Sequence, residues 1–166
     1  CSIAHLAAKY GTTSFVLMSA LGTTATTKDV VPYFAAKWAM EQEVVASGLE
    51  YTIFRPSFVF GRGGGVLPTF LKQVRYSPVV TAIGSGEQRI QPIWIDDVAE
   101  YFARGVDAPH AANRTFELGG PDVVTWNELY LTIAKVLSKR RRLAHVPTSL
   151  ARAGAQLTQW APRAPL

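Results

Sequence analysis

The chain of 166 residues has a single cysteine, Cys1, and no apolar run that reaches the roughly 20 residues needed to span a bilayer. One cysteine excludes an internal disulfide and suits a reducing compartment, so we expect a cytoplasmic protein. The N-terminus lacks the basic, apolar and small-residue layout of a signal peptide. Because the chain starts at Cys1 and ends at Leu166, we interpret it as part of a longer polypeptide.

Acidic residues are also missing from Leu129 onward, although the net charge of the chain is +5. This segment contains seven basic residues: Lys135, Lys139, Arg140, Arg141, Arg142, Arg152 and Arg163. The basic tail predicts a weak contact with an anionic membrane. The alternative is a solvated helix end, because cations suit a helix C-terminus. No aromatic platform or nucleic-acid motif accompanies the run, so we expect no nucleic-acid partner.

The order of the first predicted elements indicates an α/β protein with a parallel sheet. Residues 3–10 predict the end of a helix closed by Gly11. The short apolar run at 14–19 is typical of a strand that is covered on both faces, and 51–54 predicts a second one. Between them Pro32 begins a helix that should end near Ser47, with Gly48 as its stop. Strand, helix and strand form a crossover unit.

The rest of the chain predicts alternating short strands and helices. We expect helices at 66–76, from Asp96 or Asp97 as N-cap to about 106, from the capping box of Thr125 and Glu128 to about 138, and over the tail at 146–160. We expect extended segments at 79–83, 92–95 and 115–118, with a turn at 84–86.

Tyr33 and Lys37 are the most informative pair. They stand four residues apart at the start of the first long helix, so one helical turn places both side chains on the same face. A nearby ammonium favours the ionised form of a phenol. The pair is therefore a candidate proton donor and acceptor for alcohol and ketone chemistry. The spacing alone also arises by chance, and the surrounding chain has to support it.

Other polar groups admit structural and functional interpretations. Arg55 follows a strand at the edge where parallel sheets bind ligands, so it either contacts an anionic ligand or pairs with a nearby carboxylate. The glycine-rich residues 61–65 lack the spacing of a dinucleotide turn and are more typical of a loop that lines a substrate cleft. The three histidines lack metal-ligand spacing, and we expect no metal site.

Four segments together resemble the extended and atypical short-chain dehydrogenase/reductases. They are Phe-Val-Leu-Met-Ser-Ala at 15–20 followed by Tyr-x-x-x-Lys, Gly-Leu-Glu-Tyr-Thr-Ile-Phe-Arg-Pro-Ser-Phe-Val-Phe-Gly at 48–61, Gln-Pro-Ile-Trp-Ile-Asp-Asp-Val-Ala at 91–99, and Phe-Glu-Leu-Gly-Gly-Pro at 116–121. The resemblance covers nearly the whole chain. Within the superfamily it points to the atypical subgroup related to the NAD(P)-binding accessory subunit of respiratory complex I.

The resemblance implies a fold, a cofactor and roles for several residues. It implies an NAD(P)-binding, Rossmann-like doubly wound parallel sheet, with 1–60 as the C-terminal part of the dinucleotide-binding domain. Residues 61–166 would form a small, mostly helical substrate-binding region, of which 90–120 returns to the sheet. Candidate catalytic residues are Tyr33 as proton donor, Lys37 and Ser19. Candidate cofactor-binding residues are Ser19, Ala20, Tyr33, Lys37, Arg55, Pro56 and Ser57.

Two departures from the family pattern bear on function. The family's N-terminal part, with its glycine-rich phosphate turn, is absent, so we expect this piece alone to bind cofactor poorly. The family's catalytic Ser or Thr aligns with Ala20, and Ser19, Thr23 and Thr24 are the candidate substitutes. The resemblance nevertheless implies an oxidoreductase or epimerase that acts on a carbonyl or sugar-like small molecule. The alternative is a non-catalytic NAD(P)-binding structural or sensor protein, similar to the complex I accessory subunit.

Overall fold

The computed structural model describes residues 3–62 and 67–150. Within these residues the complete elements are five α-helices, one 3-10 helix (Pro109–Ala111) and nine strands. The helices are α1 (Ile3–Lys9), α2 (Pro32–Ala46), α3 (Leu67–Tyr76), α4 (Ile95–Val106) and α5 (Trp126–Val136). The strands are β1 (Ser14–Met18), β2 (Glu50–Pro56), β3 (Val59–Phe60), β4 (Val79–Ile83), β5 (Arg89–Ile90), β6 (Ile93–Trp94), β7 (Arg114–Leu118), β8 (Val124–Thr125) and β9 (Arg142–Val146).

The chain divides into two compact units. The first consists of the residues up to Arg62 together with Gln91–Asp122. Its sheet has three parallel strands in the order β1-β2-β7, which leaves β1 and β7 at the edges. Because α2 connects β1 to β2, the predicted strand–helix–strand unit is confirmed. The predicted functional division near residue 60 stays a prediction, although β7 lies in the segment that was expected to return to the sheet.

The central strand β2 is buried on both faces, as its apolar sequence predicts. Consecutive side chains of a strand point to opposite faces. Ile53 is buried with Val44 of α2, whereas Phe54 is buried with Val98 of α4. Helices therefore cover both faces of the parallel sheet, and the predicted α/β class is confirmed.

Glycines end two of the predicted helices of the first unit. Gly11 follows α1 with a φ of 83°, and Gly48 follows α2 with a φ of 77°. In this left-handed region a Cβ atom would be strained, so these turns favour glycine. The prediction that Asp96 or Asp97 is the N-cap of α4 is wrong. Trp94 is the N-cap of α4, and both aspartates lie in the first helical turn, where their charge still suits the helix dipole.

Of the described residues, the second unit contains 67–90 and 123–150. Its core is formed by α3, α5 and β4 around Val74, Val80 and Tyr130. The capping box of Thr125 and Glu128 is confirmed, since each side chain accepts a hydrogen bond from the backbone N–H of the other residue. β4 pairs in parallel with β9, a strand that the sequence did not predict.

The basic run leads into β9 and does not continue the helix. α5 ends at Val136, Ser138 adopts a φ of 53°, and Arg142 begins the strand. Arg141 donates from Nε to the backbone oxygen of Val74 at 2.6 Å, so part of the basic run has a structural role. Within the predicted helix at 146–160, Val146 instead ends β9, whereas residues 148–150 are helical as predicted. Its residues from 151 onward lie outside the described residues.

Candidate functional site

The predicted pair on α2 lies at the carboxyl end of β1. Lys37 donates from Nζ to the backbone oxygen of Met18, the last residue of β1, at 3.0 Å. The same Nζ lies 5.9 Å from the centroid of the Tyr33 ring, and Tyr33 is 54% exposed. Parallel sheets place their ligands outside the carboxyl ends of the strands. The helix therefore presents an ammonium and an accessible phenol at the edge where a ligand would be expected.

Ser19 and Ala20, the two residues directly after β1, are buried, and Ala20 has no hydroxyl group. The backbone N–H of Ser19 donates to the oxygen of Phe54 at 2.7 Å, which continues the pairing of β1 with β2. Ser19 is 2% exposed, and its Oγ donates to Oγ1 of Thr23, which is fully buried, at 3.4 Å. The candidate hydroxyl of Ser19 is thus held inside the protein, whereas Tyr33 is accessible.

The threonine-rich turn that follows is closed by its own hydrogen bonds. Oγ1 of Thr24 lies 2.9 Å from the hydroxyl of Thr26 and 3.0 Å from that of Thr27. Thr27 in turn donates to the backbone oxygen of Gly22 at 2.6 Å. Gly22 has a φ of 86°, and a Cβ atom there would contact the ring of Phe34 at 3.6 Å. The hydroxyl of Thr24 therefore already has partners within the turn.

Arg55 forms a two-pronged ion pair with Glu41. Its Nε donates to Oε1 of Glu41 at 2.9 Å, and its Nη2 donates to Oε2 at 2.7 Å. The side chains of Arg55 and Glu41 are 17% and 3% exposed, and Nη1 lies 4.0 Å from Oε1 of Glu117. The hydrogen bond to Glu41 raises the pKa of Arg55 above its ordinary value. Of the two interpretations left open by the sequence, the structure shows pairing with a carboxylate.

Pro56 and Ser57 lie at the same edge of the sheet as Ser19. Pro56 is buried at the end of β2, and its oxygen accepts from the backbone N–H of Leu21 at 2.9 Å. The backbone N–H of Ser57 donates to the oxygen of Leu118, the last residue of β7, at 2.8 Å. The ends of β1, β2 and β7 are thus joined by backbone hydrogen bonds into a continuous rim.

Sequence reasoning missed Glu41, the partner of Arg55. Glu41 follows Lys37 by four residues, so Tyr33, Lys37 and Glu41 fall on one face of α2. A buried carboxylate requires a paired partner, and Arg55 at the end of the next strand is the cation that the crossover brings close. That spacing was the signal that could have revealed the pair.

A separate cleft of about 370 Å³ lies between α4 and the turn after β7. Asp97, Tyr101 and Gly120 are among the residues that line it. None of the predicted site residues lines this cleft. Its Gly120 is held by Gln91, whose Nε2 donates to the Gly120 oxygen at 2.6 Å.

The donors at the carboxyl end of β1 fit one end of a nicotinamide dinucleotide. The ammonium of Lys37 and the phenol of Tyr33 can bind the hydroxyls of a ribose and the oxygen of a carbonyl substrate. Arg55 is paired with Glu41, and its expected place beside the nicotinamide stays a prediction. Residues 63–66 of the glycine-rich segment lie outside the described residues.

Metal and membrane sites are not found within the described ranges. No group of three or more His, Cys, Asp or Glu residues in 3–62 and 67–150 could hold a metal ion. In the same part of the chain, no helix has the length and apolar character needed to cross a bilayer.

A family model matches most of this chain. The family model described as the RmlD substrate binding domain matches residues 20–161. This chain belongs to the RmlD substrate binding domain family. The match includes Tyr33, Lys37 and the ends of β2 and β7, and it begins just after β1. With the relatives described next, it confirms the resemblance to atypical short-chain dehydrogenase/reductases of the complex I subgroup.

Two curated relatives of this RmlD-family chain are respiratory subunits. The mitochondrial NADH dehydrogenase [ubiquinone] 1 alpha subcomplex subunit 9 of Arabidopsis thaliana is 29% identical over 86% of this chain and 35% of its own length. The mitochondrial NADH-ubiquinone oxidoreductase 40 kDa subunit of Neurospora crassa is 29% identical over 89% of this chain and 38% of its own length. The chain thus spans little more than a third of the length of these relatives.

Solved structures of nucleotide-sugar enzymes share the fold. A UDP-glucose 4-epimerase from Thermotoga maritima gives a TM-score of 0.72 at 22% identity, covering 87% of this chain and 54% of that one. A UDP-glucose 4-epimerase from Thermus thermophilus, solved with NAD, gives a TM-score of 0.72 at 18% identity, covering 99% and 63%. At these identities the likeness confirms the Rossmann-like fold of the RmlD-family chain.

Proposed function

We propose that the chain contributes the nicotinamide end of an NAD(P) site in an oxidoreductase or epimerase that acts on a carbonyl or sugar-like substrate. The observation that carries the proposal is the bond from Lys37 Nζ to the Met18 oxygen, with Tyr33 one helical turn away. Solved structures with the same fold include epimerases and a dTDP-glucose 4,6-dehydratase with NAD bound. These neighbours support the choice of cofactor and of substrate class.

The proposed chemistry assigns separate tasks to the two side chains. When bound, the nicotinamide would accept or return a hydride at the reacting carbon. In the reducing direction, the phenol of Tyr33 would give its proton to the substrate carbonyl oxygen, and in the oxidising direction the phenolate would take the proton of the substrate hydroxyl. Lys37, held by the Met18 oxygen at one of its three N–H donors, keeps the other two for ribose hydroxyls.

The test of this function is a Tyr33→Phe variant of the full-length protein. It keeps the ring but lacks the phenol proton, so turnover should fall by about 100-fold or more, while NADH affinity should be preserved. Tyr76→Phe is the matched control, because Tyr76 is exposed and lies in the second unit. Wild-type turnover in Tyr33→Phe would contradict the assignment of Tyr33 as general acid and base.

A second candidate function is that of a non-catalytic NAD(P)-binding protein in a larger assembly. Ala20 provides no hydroxyl at the family's catalytic position, and the neighbouring hydroxyl of Ser19 is buried on Thr23. The two curated relatives are named as respiratory-complex subunits, which favours a protein partner. Tight NADH binding without turnover over a broad carbonyl panel would support this function, and rapid reduction of any substrate would count against it.

The place in the cell and the membrane contact stay predictions. Both curated relatives carry the word mitochondrial in their names. The cytoplasmic location expected from the sequence is open to test by imaging a tagged full-length protein. Arg141 is bonded to backbone oxygens of α3, so among the described residues the proposed weak contact with anionic lipid rests on the exposed Lys135, Lys139, Arg140 and Arg142.

A further inference from the structure

The helix that carries Tyr33 and Lys37 is anchored mainly through its C-terminal half. Of the residues in α2, the buried ones are Glu41 and Val44. Val44 packs in an apolar cluster with Leu17 and Ile53. The N-cap, Val31, makes no side-chain hydrogen bond to the helix. The buried anchor of α2 that lies nearest to Lys37 is therefore Glu41, about 6 Å along the helix axis.

The partner of Glu41 lies at the level of the sheet where Lys37 is bound. In the register of β1 with β2, Met18 is opposite Phe54, and Arg55 is the next residue along β2. Two parallel hydrogen bonds, at 2.9 and 2.7 Å, join the Arg55 guanidinium to the Glu41 carboxylate. Because a two-pronged pair fixes orientation as well as distance, it restricts both the rotation and the height of α2 over this edge.

We propose that Glu41 is a positioning residue whose ion pair with Arg55 holds α2 so that Lys37 reaches the Met18 oxygen. Glu41 would act through Lys37 and would not touch cofactor or substrate. Two consequences follow. Loss of the pair should release Lys37 in the protein without cofactor, and it should weaken NADH binding through that release. The second consequence rests on the proposed function, whereas the first does not.

The first experiment measures the accessibility of Lys37 in the full-length protein without cofactor. Competitive reductive methylation with mass spectrometry gives the labelling rate of Lys37 relative to Lys72, an exposed lysine of the second unit. Glu41→Gln should label Lys37 severalfold faster than wild type. Glu43→Gln, an exposed carboxylate on the same helix, is the matched control and should leave the rate unchanged.

A second pair of variants keeps this experiment decisive if Glu41→Gln folds poorly. Arg55→Lys retains the charge but not the two-pronged geometry, so Lys37 labelling should fall between wild type and Glu41→Gln. The exchange Glu41→Arg with Arg55→Glu restores the pair in reverse and should bring the rate back toward wild type. Wild-type labelling of Lys37 in the folded single variants would overturn the inference.

The second experiment is a double-mutant cycle on NADH affinity with Lys37→Met. If Glu41 acts through Lys37, Glu41→Gln should weaken NADH binding about tenfold in the wild-type background but less than about twofold beside Lys37→Met. A purely structural role would give equal losses in both backgrounds and would overturn the inference while leaving the proposed function. Failure of the wild-type protein to bind NADH would overturn the proposed function instead, and the labelling rates would then decide the inference.

Discussion

Lys37 of α2 donates a hydrogen bond to the backbone oxygen of Met18, the last residue of β1. A carbonyl at the last position of an edge strand commonly turns to water or to a loop. Here it holds a cation at a defined place while Tyr33 remains accessible one turn earlier on α2. The geometry therefore supports a ligand site, and the adjacent Ala20 raises the question of how active the site is.

Replacing Ala20 with serine tests whether a missing hydroxyl limits the reaction. A hydrogen-bond donor that stabilises a developing oxyanion is worth about 100-fold or more in rate. We expect Ala20→Ser to raise the turnover of the full-length protein by that order, measured as NADH oxidation with a carbonyl substrate panel. Ala35→Ser, exposed on α2, is the matched control. Equal rates for Ala20→Ser and wild type would contradict the view that Ala20 restricts catalysis.

Breaking the Glu41–Arg55 pair on one side should be strongly destabilising. Removing one partner of a largely buried pair leaves an uncompensated charge and costs about 3 kcal/mol or more. We expect Glu41→Gln to lower the free energy of unfolding by about that amount in urea titrations. The pair of Glu100 with Arg104 is exposed, so Glu100→Gln should cost no more than about 0.5 kcal/mol. Similar losses in the two variants would argue against a stabilising buried pair.

The two glycines after β7 should differ in their tolerance of a methyl group. A Cβ atom on Gly120 would lie 1.9 Å from the backbone oxygen of Pro92, whereas one on Gly119 would meet the movable end of the Gln91 side chain. Overpacking against a fixed backbone costs about 1–3 kcal/mol. We therefore expect Gly120→Ala to lower the thermal midpoint more than Gly119→Ala. The opposite order would show that this backbone can shift.

Tyr130 should make the second unit sensitive to alkaline pH. Burial raises the pKa of Tyr130 above its ordinary value of about 10. The unfolded chain therefore ionises first, so this contribution to stability is complete below about pH 10 and is lost as the pH rises toward the folded pKa. Wild type should lose stability above pH 10 more steeply than Tyr130→Phe. The exposed Tyr76 supplies the control, since Tyr76→Phe should follow wild type.

Local patterns predicted the part of the fold that carries Tyr33 and Lys37. β1 and β2 are predicted by their own apolar runs. The bounds of α2 are predicted by Pro32 at its start and Gly48 after its end. β9 was missed because its sequence begins in a basic run and its partner, β4, lies far away in the chain. Strand pairing over such distances leaves no local signal.

The candidate site was predictable to a similar extent. The spacing of Tyr33 and Lys37 identified the helix face, and the strand ends identified the edge of the sheet. The sequence alone did not decide whether Arg55 binds a ligand or pairs with a carboxylate. The answer depends on which turn of a helix packs over the end of β2. Glu41 supplies that carboxylate; its spacing from Lys37 indicates the helix face, and the packing of α2 on the sheet selects Arg55 as its partner.

The edge position of β1 has a practical consequence for work on this polypeptide. Phe15, Val16 and Leu17 make β1 an apolar strand, yet β2 is its one strand partner in the sheet order of the described residues. An apolar edge strand is a template for pairing with a second molecule. A sample limited to residues 1–166 should therefore tend to self-associate through β1, and a lysine in place of Met18, the exposed residue of this strand, should reduce that association.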